Sequence, residues 1–316
     1  MRSDGWLGVE LRHLAALQAV AEEGSFGRAA ERLGYTQSAV SQQIQALERI
    51  VGQRLVERPG GPRKVSLTEA GDLLLRHAAG IVARLQAAQA DLAAFAEGSA
   101  GTLRVGTYQS VGARVLPGLL RAFTQAWPDV TVQLTESADD GGLLELVERG
   151  DLDFTFVMIP IGEGPFETVE LMRDPHVLVV PADSPLVRRS RPPSLREVAG
   201  MPLIGNRQCR SIHHVETRFR DAGLAPRIVF RSDDNGTIQG LVAAGVGAAL
   251  VPLLTVDTSD EGTAVLGLAD VPPRRIGIAW HRDRFRSPAA RAFVEIAGEV
   301  CRRVEAEQAG GEAAAA

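Results

Sequence analysis

Cysteine is nearly missing from this chain, whose 316 residues contain only Cys209 and Cys301. Two are too few for a disulfide framework or for a cysteine-rich zinc site. Lysine is scarcer still. Lys64 stands alone among 34 basic residues, which together with abundant alanine points to a GC-rich bacterial genome. No apolar run approaches the roughly 18 to 20 residues that a membrane-spanning helix needs, so no membrane association is expected. No basic-then-apolar segment opens the chain either, and the expected compartment is the cytoplasm. Signatures of catalysis are lacking too. There is no GxxxxGKS/T phosphate loop, no GxSxG elbow and no HExxH, and nothing groups a nucleophile with a base. His213 and His214 are adjacent, so on a helix they face apart and do not make a metal pair. The sequence therefore reads as neither an enzyme nor a metalloprotein, and no cofactor is expected.

What is present is ordinary globular material, with 45% hydrophobic and 23% charged residues and length enough for two or three domains. The formal charge of −5 is unevenly spread. Residues 1–67 hold nine of the 34 basic and seven of the 39 acidic residues, so the head is mildly basic and the rest acidic. That division suits local phosphate contact by the head while the body stays off a polyanion.

Residues 25–49, SFGRAAERLGYTQSAVSQQIQALER, read as two short helices broken by a tight turn at Gly34-Tyr35. Phe26, Ala29, Ala30 and Leu33 share one apolar face, and Val40, Ile44, Leu47 and Val51 share another. On the second helix, Ser38, Ser41, Gln42, Gln45 and Arg49 lie opposite the apolar stripe, without a carboxylate among them. Thr36 is a natural N-cap, leaving Gln37 and Ser38 at the leading end. Amides and hydroxyls there are what a helix-turn-helix needs to meet base edges and phosphates in a major groove. The competing reading is a polar face turned to water.

The next segment of the chain favours the first reading. Residues 52–68 look like strand, Gly/Pro hairpin tip and strand, with Arg58, Arg63 and Lys64 around the tip. Such a basic hairpin is a wing, suited to phosphate or minor-groove contact. Leu11-Arg12-His13-Leu14, Ala29-Ala30, Thr36-Gln37, Val40-Ser41, Gln43-Ile44, Leu47-Glu48 and Leu67-Thr68-Glu69-Ala70-Gly71 together resemble a LysR-type transcriptional regulator. Ser38 stands where many members have Pro, and Val56 where Phe is common. The resemblance implies a regulator that binds double-stranded promoter or operator DNA, responds to a small-molecule effector and acts on RNA polymerase. It also implies assembly as a homodimer or homotetramer.

From residue 68 to about 97 the pattern is helical without proline. Leu74, Ala78, Ile81, Leu85, Ala88, Leu92 and Phe95 alternate spacings of four and three, an a/d seam for a two-stranded helical contact. Leu74, Ile81, Leu85 and Leu92 are its expected dimerisation residues; the alternative is a long helix packed on its own domain. After a hinge at 98–101 the pattern turns β/α, with strands near 103–106, 130–135, 153–158 and 176–180 and helices near 115–126 and 143–148. It repeats with strands near 202–205, 227–231 and 247–252, helices near 213–222 and 237–244, a late strand at 275–281 and a terminal helix at 288–304. Gly150-Asp151-Leu152-Asp153 and the run from Val242 to Gly247 with Pro252 extend the resemblance here more weakly.

The expected fold is α/β overall. It comprises a winged helix-turn-helix (1–67), a long linker helix and hinge (68–100) and an α/β region (101–305) that the resemblance implies is a two-lobed, periplasmic-binding-protein-like effector domain. The first lobe would span about 101–180 and 273–305, the second about 181–272, with a disordered tail at 306–316. A free-standing solute-binding protein would fit the β/α part but not the first 97 residues.

Ligands in such paired α/β lobes sit beyond strand carboxyl ends. Here those ends offer Thr107, Gln109 and Ser110, then Met158, in the first lobe, and Asn206, Arg207, Cys209, Arg210 and Asn235 in the second. Ser110 and Asn206 are the expected hydrogen-bonders, and Arg207 or Arg210 the partner of an organic anion. The alternative at each position is an ordinary turn residue. Cys209 also lies near where peroxide-sensing members of the family keep a reactive cysteine, with Arg207 and Arg210 to stabilise a thiolate. Against redox sensing, no resolving cysteine lies close downstream, since Cys301 falls in the terminal helix.

Overall fold

Three helices, α1 (Leu11–Glu23), α2 (Phe26–Leu33) and α3 (Gln37–Val51), build the N-terminal core. The computed structural model describes residues 6–57, 64–97, 101–207, 210–268 and 271–315. The apolar faces read from the sequence meet here: Leu14, Leu17 and Val20 of α1 pack with Ala29 and Ala30 of α2 and with Val40, Ile44 and Leu47 of α3. Each of the larger aliphatic side chains contributes about 1.5–3 kcal/mol by leaving water. Gly34 closes α2 at φ 69°, a left-handed conformation that costs a residue with a side chain far more than glycine.

A short antiparallel pair comes next, β1 (Val56–Glu57) with β2 (Ser66–Leu67). The following helix, α4 (Glu69–Glu97), begins under tight control. Thr68 Oγ1 donates to the carbonyl of Arg54 at 2.7 Å and accepts the N–H of Gly71 at 3.1 Å. A Cβ on Gly71 would stand 2.1 Å from the carbonyl oxygen of Leu55, so only glycine lets the helix approach the strand this closely. The Thr68-Glu69-Ala70-Gly71 run is thus a cap and a contact point in one.

This anchoring corrects the sequence expectation for the linker helix. Leu74 and Ala78, read as the start of the dimer seam, are drawn into the core of the head, 8% and 0% exposed. Further along, Ile81, Leu85 and Leu92 are 50%, 53% and 70% exposed. The chain divides into two compact units within α4, Met1–Ala90 and Asp91–Ala316.

The second unit carries two lobes. The first is a five-stranded sheet built from β3 (Gly101–Thr107), β4 (Val130–Glu136), β5 (Phe154–Ile159), β6 (Phe166–Asp174) and, from far downstream, β12 (Arg274–His281). Its order is β4-β3-β5-β12-β6. β3 runs parallel to β4 and β5, while β12 runs antiparallel to β5 and β6. The helices α5 (Gln109–Arg114), α6 (Leu116–Ala126) and α7 (Asp140–Arg149) belong to this lobe, as does the terminal helix α11 (Pro288–Ala315). Phe293 of α11 meets Phe123 of α6 edge-on at 5.1 Å and stacks on Phe154 of β5 at 6.0 Å.

The second lobe contains β7 (His176–Pro181), β8 (Pro202–Gly205), β9 (Arg227–Arg231), β10 (Ala249–Pro252) and β11 (Thr263–Gly267), with α8 (Leu195–Ala199), α9 (Arg210–Asp221) and α10 (Asn235–Ala243). One sheet has the order β10-β7-β11, and β8 pairs with β9. A parallel bridge from Leu203 to Ala248 joins the two pieces.

Three expectations change. β7, assigned by the boundary at 180 to the first lobe, pairs with β10 and β11 and so belongs to the second. The chain therefore crosses between lobes at Pro175, and returns after β11. β6 and β11 are further strands that the sequence pattern does not mark. The tail beyond 305, expected to be disordered, continues α11 to Ala315. Its alanines favour helix enough to carry Gly310-Gly311, each glycine costing about 1 kcal/mol.

Candidate DNA-binding surface and effector cleft

In the head, Thr36 caps α3 by accepting the N–H of Ala39 at 3.2 Å, and its hydroxyl lies 3.0 Å from that of Ser38. Thr36 therefore shapes the leading end. Gln37, Ser38, Gln42 and Gln45 are exposed, and Ser41 is half-buried beside them. The sole acid of α3, Glu48, is turned to the wing, where it accepts the N–H groups of Leu55 at 2.9 Å and Val56 at 3.2 Å. The outward face is thus left to amides and hydroxyls, as a base-reading surface requires. Lys64 is exposed, its aliphatic stem running past Gly24, and the next residue, Val65, donates its N–H to the Gly24 carbonyl at 3.0 Å. That bond pins the returning strand of the wing to the turn between α1 and α2. Arg58 and Arg63 lie outside the described residues.

In the second unit the strand ends of both lobes converge on a cavity of about 480 Å³. Gln109, Glu136 and Ser137 line it from the first lobe, Arg207, Ser232, Asp233 and Asp234 from the second. Of the expected effector residues, it brings together Gln109 and Arg207. Thr107, Ser110, Met158 and Asn206 are buried rather than cavity-lining, at 2%, 3%, 6% and 7% exposure. Asn206 presents its carbonyl to Arg231 Nη1 at 2.9 Å. Asn235 and Gln109 meet across the cleft, the Asn235 N–H donating to Gln109 Oε1 at 3.2 Å. Arg210 opens α9, and Cys209 lies outside the described residues. A larger concavity, about 1400 Å³, runs beside β11 and the crossing segments, edged by Arg114, Arg189 and Arg218. It shares no residue with the cleft.

Sequence reasoning missed what engages Ser110. Its Oγ accepts from Arg274 Nη2 at 2.7 Å. Arg274 Nε also donates to Asp174 Oδ2 at 2.6 Å, and Asp174 Oδ1 accepts the N–H of Leu254 at 3.0 Å. Burial pushes the Asp174 carboxyl up, against the opposing pull of Arg274 and the Leu254 N–H. Asp174 and Arg274 flank the crossings between lobes, and no local pattern marks such a pair, 100 residues apart. At the cleft mouth, the hydrogen bond from Gln109, aided by the Thr237 N–H, holds the Asp234 carboxyl below its usual range. Cys301 is buried, and desolvation, aided by the charge of Glu305, pushes its thiol up to about 12. A thiolate is therefore scarce there at neutral pH.

A winged helix-turn-helix joined by a long helix to a two-lobed α/β cleft defines a DNA-binding protein with a ligand-sensing module. Residues 11–72 match the bacterial regulatory helix-turn-helix protein, lysR family, and residues 96–302 match the LysR substrate binding domain. The chain belongs to the LysR family of transcriptional regulators. It is 33% identical over 273 residues to the HTH-type transcriptional regulator TtuA of Agrobacterium vitis, covering 85% of this chain and 87% of that one. Full-length CbnR complexed with target DNA superposes with a TM-score of 0.62 at 27% identity, over 92% of this chain and 99% of that one. A mutant OxyR of Corynebacterium glutamicum gives a TM-score of 0.60 at 26% identity, over 96% of each chain. No helix among the described residues is long and apolar enough to cross a membrane.

Proposed function

We propose that the protein is a homodimeric, cytoplasmic promoter-binding regulator whose grip on DNA is modulated by a small molecule held between Gln109 and Arg207. The observation that carries this reading is the cavity of about 480 Å³ lined from both lobes. A ligand touching both lobes binds one lobe arrangement better than another, and that difference in affinity shifts the population. Gln37, Ser38, Ser41, Gln42 and Gln45 read bases, while Lys64, with Arg58 and Arg63 of the wing, contacts phosphates. The exposed Ile81, Leu85 and Leu92 support pairing through α4, and dimers pair further into the tetramer that engages RNA polymerase at a promoter.

The cleft favours a ligand that presents hydrogen-bond donors. Its described lining holds Glu136, Asp233 and Asp234 against the one guanidinium of Arg207. An organic anion, the class that the arginines alone suggest, would meet the like charge of these three carboxylates. Thermal-shift screening of the full chain against amino acids, amines, polyols and organic acids tests this. A stabilising compound should lose its effect in Arg207→Ala and Asp233→Asn. Undiminished stabilisation in both variants would move the ligand elsewhere.

A further inference from the structure

We propose that the first turn of α5 couples the effector cleft to the hinge, with Gln109 and Ser110 acting as neighbouring ends of one lever. The inference rests on the reading of the cleft as the effector site and assigns a route from that site to the lobe arrangement. Ser110 is then a positioning residue and not a ligand contact.

Gln109 commits both ends of its amide to the second lobe. Its Oε1 accepts the N–H of Asn235 at 3.2 Å, and its Nε2 donates to Asp234 Oδ2 at 3.0 Å. Asp234 is also the N-cap of α10, accepting the N–H of Thr237 at 2.7 Å. Gln109 thus fastens α5 to the start of a helix on the far side of the cleft, in the wall of the cavity itself.

Ser110 ties the same turn of helix to the hinge. Its hydroxyl receives Arg274, Arg274 reaches Asp174, and Asp174 holds the backbone of Leu254 in the second lobe. Asp174 ends β6, just before the chain leaves the first lobe, and Arg274 opens β12, where the chain has returned. All three side-chain partners are buried, at 3%, 7% and 0% exposure for Ser110, Arg274 and Asp174. The Arg274 guanidinium also lies over the Tyr108 ring, 5.5 Å from its centre. The second lobe is therefore attached to the first turn of α5 by two routes, directly at the cleft mouth and indirectly through the hinge. The far end of α5 is held separately by Arg114, whose Nη2 donates to the Val256 carbonyl at 2.7 Å.

Packing makes the two routes interdependent. A close-packed interior does not deform continuously, and a buried guanidinium deprived of an acceptor is costly. A polar ligand entering the cavity competes with Gln109 for the Asn235 N–H and the Asp234 carboxylate. Once Gln109 is released, the first turn of α5 can shift against the anchor at Arg114, and Ser110 carries that shift to Arg274 and so to both crossings. The linkage is reciprocal: disturbing the hinge pair loosens the latch at Gln109.

Amide hydrogen exchange on the full-length protein, with no ligand added, tests the coupling. Gln109→Ala should speed exchange at Asn235, whose partner it removes, and also at Leu254, which it does not touch. About fivefold at each is the order expected for loss of one ordinary hydrogen bond. In a Ser110→Ala background, Gln109→Ala should still release Asn235 but no longer change Leu254, a non-additive cycle. Ser110→Ala removes only a hydroxyl, and the amides of β3 report general stability. An unchanged Leu254 in Gln109→Ala, an additive cycle, or equal acceleration in β3 overturns the proposal. Such a result leaves the cleft assignment standing, whereas failure of the compound screen removes that assignment without touching this linkage.

Discussion

Glu48, near the end of α3, holds the backbone N–H of Leu55 at 2.9 Å, and that of Val56 beside it. The helix proposed to read bases thereby fixes the base of the wing proposed to contact phosphates, and ties the two elements together. Hydrogen bonds to an ionised carboxylate contribute about 1.5–3 kcal/mol net. Glu48→Ala should lower the melting temperature of the head and weaken binding to specific and random duplexes alike. Binding that remains at wild-type strength would show that the wing is held without Glu48, by the Val65–Gly24 bond and the bond from Thr68 to the Arg54 carbonyl.

Base reading by α3 predicts a different pattern for its leading end. Gln37→Ala or Ser41→Ala should cost roughly 1–3 kcal/mol on a duplex selected from a random pool, with little change on unselected DNA. Lys64→Ala should weaken both and flatten the dependence of affinity on salt. Equal losses on both duplexes for Gln37→Ala would transfer that residue to the phosphate-contacting group.

Pairing through α4 is read from Ile81, Leu85 and Leu92, large apolar side chains left half or more exposed. Replacing Ile81 and Leu85 by Asp places charge where a partner helix would have to bury it. Sedimentation should then report monomers, and operator affinity should fall with the loss of the second head. The same double substitution leaves the core of the head intact, because Leu74 and Ala78 serve it instead. Dimers that survive the double substitution would place the assembly surface elsewhere.

Cys301 titrates late. Its thiol is raised from an ordinary value of 9.0 to about 12, so the neutral form is favoured by folding. Its contribution to stability is complete below about pH 9 and disappears as pH rises toward 12. Alkylation and then mass spectrometry at pH 8.5 should leave Cys301 unmodified in the native protein and modified in urea. Native labelling as fast as that of an unfolded control would contradict its burial.

The sequence was most legible where one residue type does one job at a fixed spacing. Val40, Ile44 and Leu47 announced the buried face of α3, and Thr36 its cap. The missed strands have a common cause. β6 and β11 are edge strands, mostly exposed or half-buried, so neither shows a clean apolar alternation. Leu74 kept the heptad spacing and still turned inward, because Thr68 and Gly71 draw the start of α4 against Leu55. Of the turns at the strand ends, Gln109 and Arg207 reach the cavity while Ser110 meets Arg274. Partners so far apart in the chain leave no local trace.

The late arrival of β12 has a consequence for synthesis. β5 and β6 are separated by β12, which the ribosome delivers about a hundred residues after β6 is complete. Until then, both strands present unpaired backbone to the cell, and the whole second lobe must be translated before the gap can be filled. Unpaired edges of this kind invite association between nascent chains. The second lobe, encoded without interruption from β7 to β11, can assemble in that interval and bring β12 to its place. A pause or truncation between Gly267 and Arg274 should therefore yield a folded second lobe on a first lobe whose sheet is still split, a species that chaperones would be expected to hold.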